Sequence, residues 1–187
     1  MPSHGFGSWG HLAERFFGAL SPAGPPPADE AWALGSLLEG EQKLWHRMSG
    51  PDRRHAVGVA RETVRLLSPD IPPREVVAAA LLHDVGKVES GLGTFTRVGV
   101  TLAAMGAGRS RVLDWAGSSP AAEDGQRTSL RARVGMYLTH DRLGAELLQQ
   151  AGSNELTSTW AREHHLPPAR WTVDSRIGGA LKEADGD

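Results

Sequence analysis

Apolar residues recur at helical spacing along most of this chain, and no convincing period-two run of four or more residues interrupts them. WGHLAERFFGAL, residues 9–20, places Trp9, Leu12, Phe16 and Leu20 on one face. SPAGPPP at 21–27 ends that helix, because three successive prolines cannot continue it. Further helices are predicted over 28–38, with Trp32 and Leu38 apolar, over about 40–48, and over about 51–67. The last of these opens on Pro51 with Asp52 beside it and carries Val57, Val64 and Leu67 as its stripe. After SPDIPPREVV, the helix over about 73–85 is apolar almost all round, which marks it as a core helix. The Gly- and Thr-rich residues 90–101 read as opening with a loop, and GSSPAAEDGQRTS at 117–129 as a flexible one. Helices resume over about 128–138, 141–151, 153–163 and 174–184, so the expected class is all-α.

A length of 187 residues suits one domain with a real core. A helical extension over 1–49, broken at the prolines of 21–27, precedes a main domain over 50–187. Lys plus Arg number 20 against 22 Asp plus Glu, with no long run of either sign, so nothing marks a nucleic-acid surface or a polybasic membrane anchor. No cysteine is present, which excludes disulfides, thiolate metal sites and cysteine nucleophiles. With no signal-peptide pattern and no apolar run near the roughly 20 residues of a membrane span, the expectation is a soluble, cytoplasmic protein.

The eight histidines change the picture. His55 lies one turn into its helix, and His83–Asp84 ends the most apolar one. His140 precedes DRLGAELL, with Gly144 four residues on and so on the same face. His164–His165 ends TSTWAREHH just before Leu166-Pro167-Pro168, and Asp185 sits near the end of the last striped helix. Each position lets a helix present a ligand inward. His4, His11 and His46 read as surface residues, and Asp141 as a cap for the helix that follows it. The tryptophans read as core, with Trp160, one turn before His164, the one placed to stack a base.

His55, then His83–Asp84 within LLHDVGK, then Asp185 within LKEAD, in this order on successive helices, resemble the HD superfamily of metal-dependent phosphohydrolases. The resemblance runs over about residues 50–187 and implies an HD-domain-like helical bundle. His140 and His164/His165 lie where binuclear members, such as HD-GYP cyclic-dinucleotide phosphodiesterases and symmetrical dinucleoside tetraphosphate hydrolases, carry second-metal ligands. The GYP signature is absent, since LPPARW follows the histidine pair. The resemblance implies one divalent ion on His55, His83, Asp84 and Asp185, and a second on Asp84, His140 and His164, with His165 the substitute for His164.

Imidazoles and carboxylates without thiolates suit Fe, Mn, Co, Ni or Zn alike. Two such ions can lower the pKa of a water towards neutrality and clamp an in-line phosphoryl displacement. The expected activity is hydrolysis of a phosphoester or phosphoanhydride of a nucleotide or related small phosphate by metal-activated water. Asp84 and Lys87 are its expected catalytic residues, Lys87 also meeting a phosphate oxygen or the leaving group, and Arg54, Arg61 and Arg97 are further phosphate contacts. The competing readings are an HD-fold di-iron oxygenase and a non-catalytic nucleotide-binding signalling module.

Overall fold

A computed structural model of the chain describes residues 22–92, 94–117 and 129–186. The 9–20 helix, nearly all of the 117–129 loop, His4 and His11 lie outside the described residues. Among the described residues every regular element is helical. In chain order these are α1 (Pro27–Gly35), α2 (Glu39–Arg47), α3 (Gly50–Leu67), α4 (Arg74–Leu82), α5 (Lys87–Ser90), α6 (Thr94–Ala107), α7 (Arg109–Gly117), α8 (Leu130–Leu138), α9 (His140–Gln150), α10 (Glu155–Glu163), a 3₁₀ turn (Pro168–Arg170) and α11 (Ser175–Asp185). None is long and apolar enough to cross a membrane.

Helix α4 is the axis of the bundle. Every residue from Val76 to Leu82 is buried, as an all-round apolar helix must be. It packs between α3 and α10, while α11 lies along α3 and α9 along α10. Ala33, Leu37, Leu44, Trp45 and Met48 are buried in the same cluster as α4, so residues 33–48 are part of this core. Glu30 fastens them, accepting from Trp45 Nε1 at 3.0 Å and pairing with Arg53 of α3.

A second layer, α6 to α8, closes over its own small cluster of Leu92, Val100, Ala116, Val134 and Leu138. Here the sequence pattern misled. Helix α6 begins at Thr94, inside the stretch read as opening with a loop, and α7 falls where no stripe was assigned. Gly99, Gly106 and the β-branched residues of α6 weaken its intrinsic propensity, and packing on α7 supplies what propensity does not. Helix α4 also stops earlier than the predicted 73–85.

Candidate metal centre

The end of α4 is what turns a core helix into a site. After Leu82 the chain tightens from α-helical bonding to three-residue steps: Val85 N–H donates to Leu82 O and Lys87 N–H to Asp84 O, each at 3.0 Å. His83 and Asp84 therefore sit on a buried turn, where the helix interior gives way to a cleft.

The other ligands arrive on faces that the burial pattern fixes. Asp185 extends the buried stripe Gly178–Leu181 of α11. His164 extends Thr157–Trp160/Ala161 of α10 by one turn. His140 shares its face of α9 with Gly144 and Leu148. That face reaches the HDVGK turn through two glycines in mutual contact: a Cβ on Gly86 would run into the backbone of His140 and Gly144. His55, on α3, is half-buried, with 27% of its side chain accessible.

Three of the imidazoles are oriented by one device. The Nδ1 of His83 lies 2.9 Å from Ala80 O, that of His140 2.7 Å from Tyr137 O, and that of His164 2.9 Å from Ala161 O. A carbonyl can only accept, so each Nδ1 carries the hydrogen and each Nε2 turns inward. The Nε2 atoms of His83 and His164 are buried and make no hydrogen bond. Buried polar atoms are rarely left so, and an ion on their lone pairs would satisfy them.

The ligand atoms fall into two sets, each within 4.8 Å of one another: His55, His83 and Asp185, and His140, His164 and His165. Asp84 lies between them. Its Oδ1 is 3.2 Å from His140 Nε2 and 3.9 Å from His164 Nε2, while Oδ2 is 3.4 Å from His83 Nε2 and pairs with Lys87. Asp185 Oδ1 is 2.9 Å from His55 Nε2 and 3.7 Å from His83 Nε2. His165, exposed, stands beside His164, with Nε2 3.3 Å from His140 Nε2 and its ring centroid 3.9 Å from that of His164. These histidines and carboxylates could hold metal.

Electrostatics fit a cation site. Burial opposes charge on Asp84, but Lys87, His83 and a hydrogen bond from His140 outweigh it and hold the carboxyl well below its usual range. Asp185 is likewise depressed against its own burial, mainly by His83 and His55. His83 is raised to about 9, because Asp84 and Asp185 overcome the burial that disfavours its charge. His164 goes the other way, since burial first and then His83 and His165 keep it neutral.

A scaffold not predicted from sequence holds the histidine pair. Glu163, buried, accepts from Thr172 N and Thr172 Oγ1, both at 2.7 Å, and Trp171 Nε1 donates to Leu166 O at 3.0 Å. Lys182 of α11 donates to His164 O at 3.0 Å, closing the end of α10. Trp160, 2% exposed, packs edge-on against Trp171, so it braces this loop and offers no face for a base.

Lys87, expected to meet a phosphate oxygen or the leaving group, pairs with Asp84 across the tightened turn. Arg54 donates to Ala23 O, and Arg61 is engaged by Asp29 at 3.0 Å and lies 3.7 Å over the Trp32 ring, so it is turned towards α1. Arg97's side chain lies outside the described residues. His46 is exposed, as expected, while Asp141 sits inside the first turn of α9, whose cap position is Thr139. Tyr137, the chain's only tyrosine, was not singled out, yet its ring stacks on His140 with centroids 5.9 Å apart. One tyrosine on a helix of mixed pattern gave no signal.

No family model matches the chain, and no curated protein or solved structure matches it either.

Proposed function

We propose that this chain is a metal-dependent phosphohydrolase of the HD type, holding two divalent transition ions and cleaving a phosphoester or phosphoanhydride of a small molecule. The observation that carries the reading is Asp84, set between two histidine-containing groups, in which the Nε2 atoms of His83 and His164 are buried without a hydrogen bond. His55, His83 and Asp185 would hold one ion, His140, His164 and His165 the other, with Asp84 available to both. Such ions supply Lewis acidity, which makes water a nucleophile near neutral pH.

The rest is work for the protein's own groups. Carbonyls fix the imidazole tautomers, so the ligands need no reorientation on binding. The ammonium of Lys87, with 19% of its side chain accessible and anchored by Asp84, offers positive charge to a phosphate oxygen at the open side. The imidazole and carboxylate donors would serve a di-iron oxygenase as well, and the lysine beside Asp84 is what leans the reading towards displacement at phosphorus.

The test is metal analysis of the purified protein joined to phosphate release from a panel of nucleotides and simple phosphate esters. Activity is expected with Mn, Fe, Co, Ni or Zn, and His83→Ala or Asp84→Ala should lower it by at least about a hundredfold with loss of bound metal. Metal-loaded protein inert across the panel, but consuming oxygen with bound iron, would transfer the site to oxidative chemistry.

A further inference from the structure

We infer that the substrate carries an apolar group and that the groove between α6, α7 and α8 receives it; this rests on the phosphoester reading above. The groove encloses about 540 Å³. That is the size of a small-molecule site. Its described walls are hydrocarbon from Val100, Ala103, Val112, Leu130 and Val134 and the indole of Trp115, with Arg111 the charged residue among them. Trp115 and Leu130 remain 44% and 56% exposed there, an unusual display for residues of that size.

What ties the groove to the metal centre is Tyr137. Leu130, Val134 and Tyr137 stand at i, i+4 and i+7 on α8 and so share one face. Tyr137 continues that face roughly 4.5 Å beyond Val134 along the helix axis. Its hydroxyl lies 3.1 Å from Thr101 Oγ1 on α6, the residue after groove-lining Val100, and its ring lies on His140. Tyr137 is not itself part of the lining, but it packs with Val100 and Val134 of the walls on one side and His140 on the other, and one small molecule with phosphate at the candidate ligands and hydrocarbon between the helices would pass beside it. Among the described residues the lining offers Thr96 and Arg111 as its polar side chains against a mostly hydrocarbon wall. An alkyl or aryl ester of phosphate matches it.

The probe pair is 2-naphthyl phosphate and glycerol phosphate, presented to metal-loaded protein with calorimetry for binding and phosphate release for turnover. The variant is Gly99→Leu, at a groove-lining helical position where an added Cβ meets nothing within 4 Å. Wild type should prefer the naphthyl ester by tenfold or more in kcat/KM. Gly99→Leu should erase most of that preference while leaving metal content and glycerol phosphate turnover unchanged.

Esters hydrolysed without preference, or a preference the variant keeps, would overturn the groove inference and leave the phosphohydrolase standing. If neither ester turns over, the functional reading is judged by the wider panel above and calorimetry alone judges the groove. Naphthyl phosphate binding weakened tenfold by Gly99→Leu supports it. No binding, as when another segment of the chain fills the groove, or binding that ignores the variant, overturns it.

Discussion

A histidine becomes a ligand through what its second nitrogen does. His83, His140 and His164 each spend Nδ1 on a carbonyl three residues back, leaving Nε2 to the interior. In the metal-free protein His83 answers the two carboxylates by holding a proton, its pKa raised to about 9 from an ordinary 6.5. That proton stabilises the fold fully below pH 6.5, and its contribution is lost as pH climbs from 6.5 through 9. Asp84 and Asp185 are depressed, so their contribution is present above their ordinary 3.8 and lost as pH falls through their lowered values. The metal-free protein should therefore lose on the order of 3 kcal/mol between pH 6.5 and 9. Metal on His83 displaces the proton, and the loaded protein should show no such alkaline loss. Melting temperatures of both forms across this range check it; a metal-free curve flat to pH 9 would mean that His83 is neutral.

At the scale of elements, the meeting of α9 with the HDVGK turn decides whether the two ligand groups share Asp84. Gly86 has an ordinary helical φ of −61°, so it is needed for space and not for backbone freedom. Gly86→Ala would press a methyl into the His140 carbonyl and the Gly144 amide, both backbone atoms, and α9 must retreat. A cost of about 1–3 kcal/mol is expected. Because His140 rides on α9, the two-ion reading proposed above expects one metal equivalent to be lost before the other. Gly58→Ala, exposed on α3 with nothing within 4 Å of its added Cβ, should instead gain about 0.5–1 kcal/mol. Chemical denaturation and metal stoichiometry of both variants test the contrast.

The same scale shows what the sequence could tell. Periodicity placed α1 to α4 and α8 to α11, and helix ends carrying His or Asp marked His55, His83, Asp84, His140 and Asp185. It could not show that α4 gives way to a tight turn after Leu82, because no proline or glycine stands at that point. Nor could it choose between His164 and His165, since adjacent residues at a helix end point apart by an angle only the coordinates supply. The Gly-rich α6 and short α7 owe their form to each other, which is information outside any window of sequence.

For the whole molecule, the candidate ligands come from α3, the turn after α4, the start of α9, the end of α10 and the end of α11. His55 and Asp185 alone close a span of 130 residues. An ion held across these elements binds the folded chain and not the unfolded one, so it stabilises by mass action. At a hundredfold excess over its Kd the gain is about 2.7 kcal/mol. For a chain of this length that is roughly 5–11 °C in melting temperature. Chelation should lower the melting point by that amount, and Mn, Co, Ni or Zn should restore it. Magnesium should not, because it takes oxygen ligands and sheds its water reluctantly, whereas most donors here are imidazole nitrogens. Equal rescue by magnesium would mean that the stabilising ion sits on Asp84 and Asp185 alone, and that the histidines serve the core. Rescue confined to the imidazole-binding metals ties fold stability to the histidine clusters themselves.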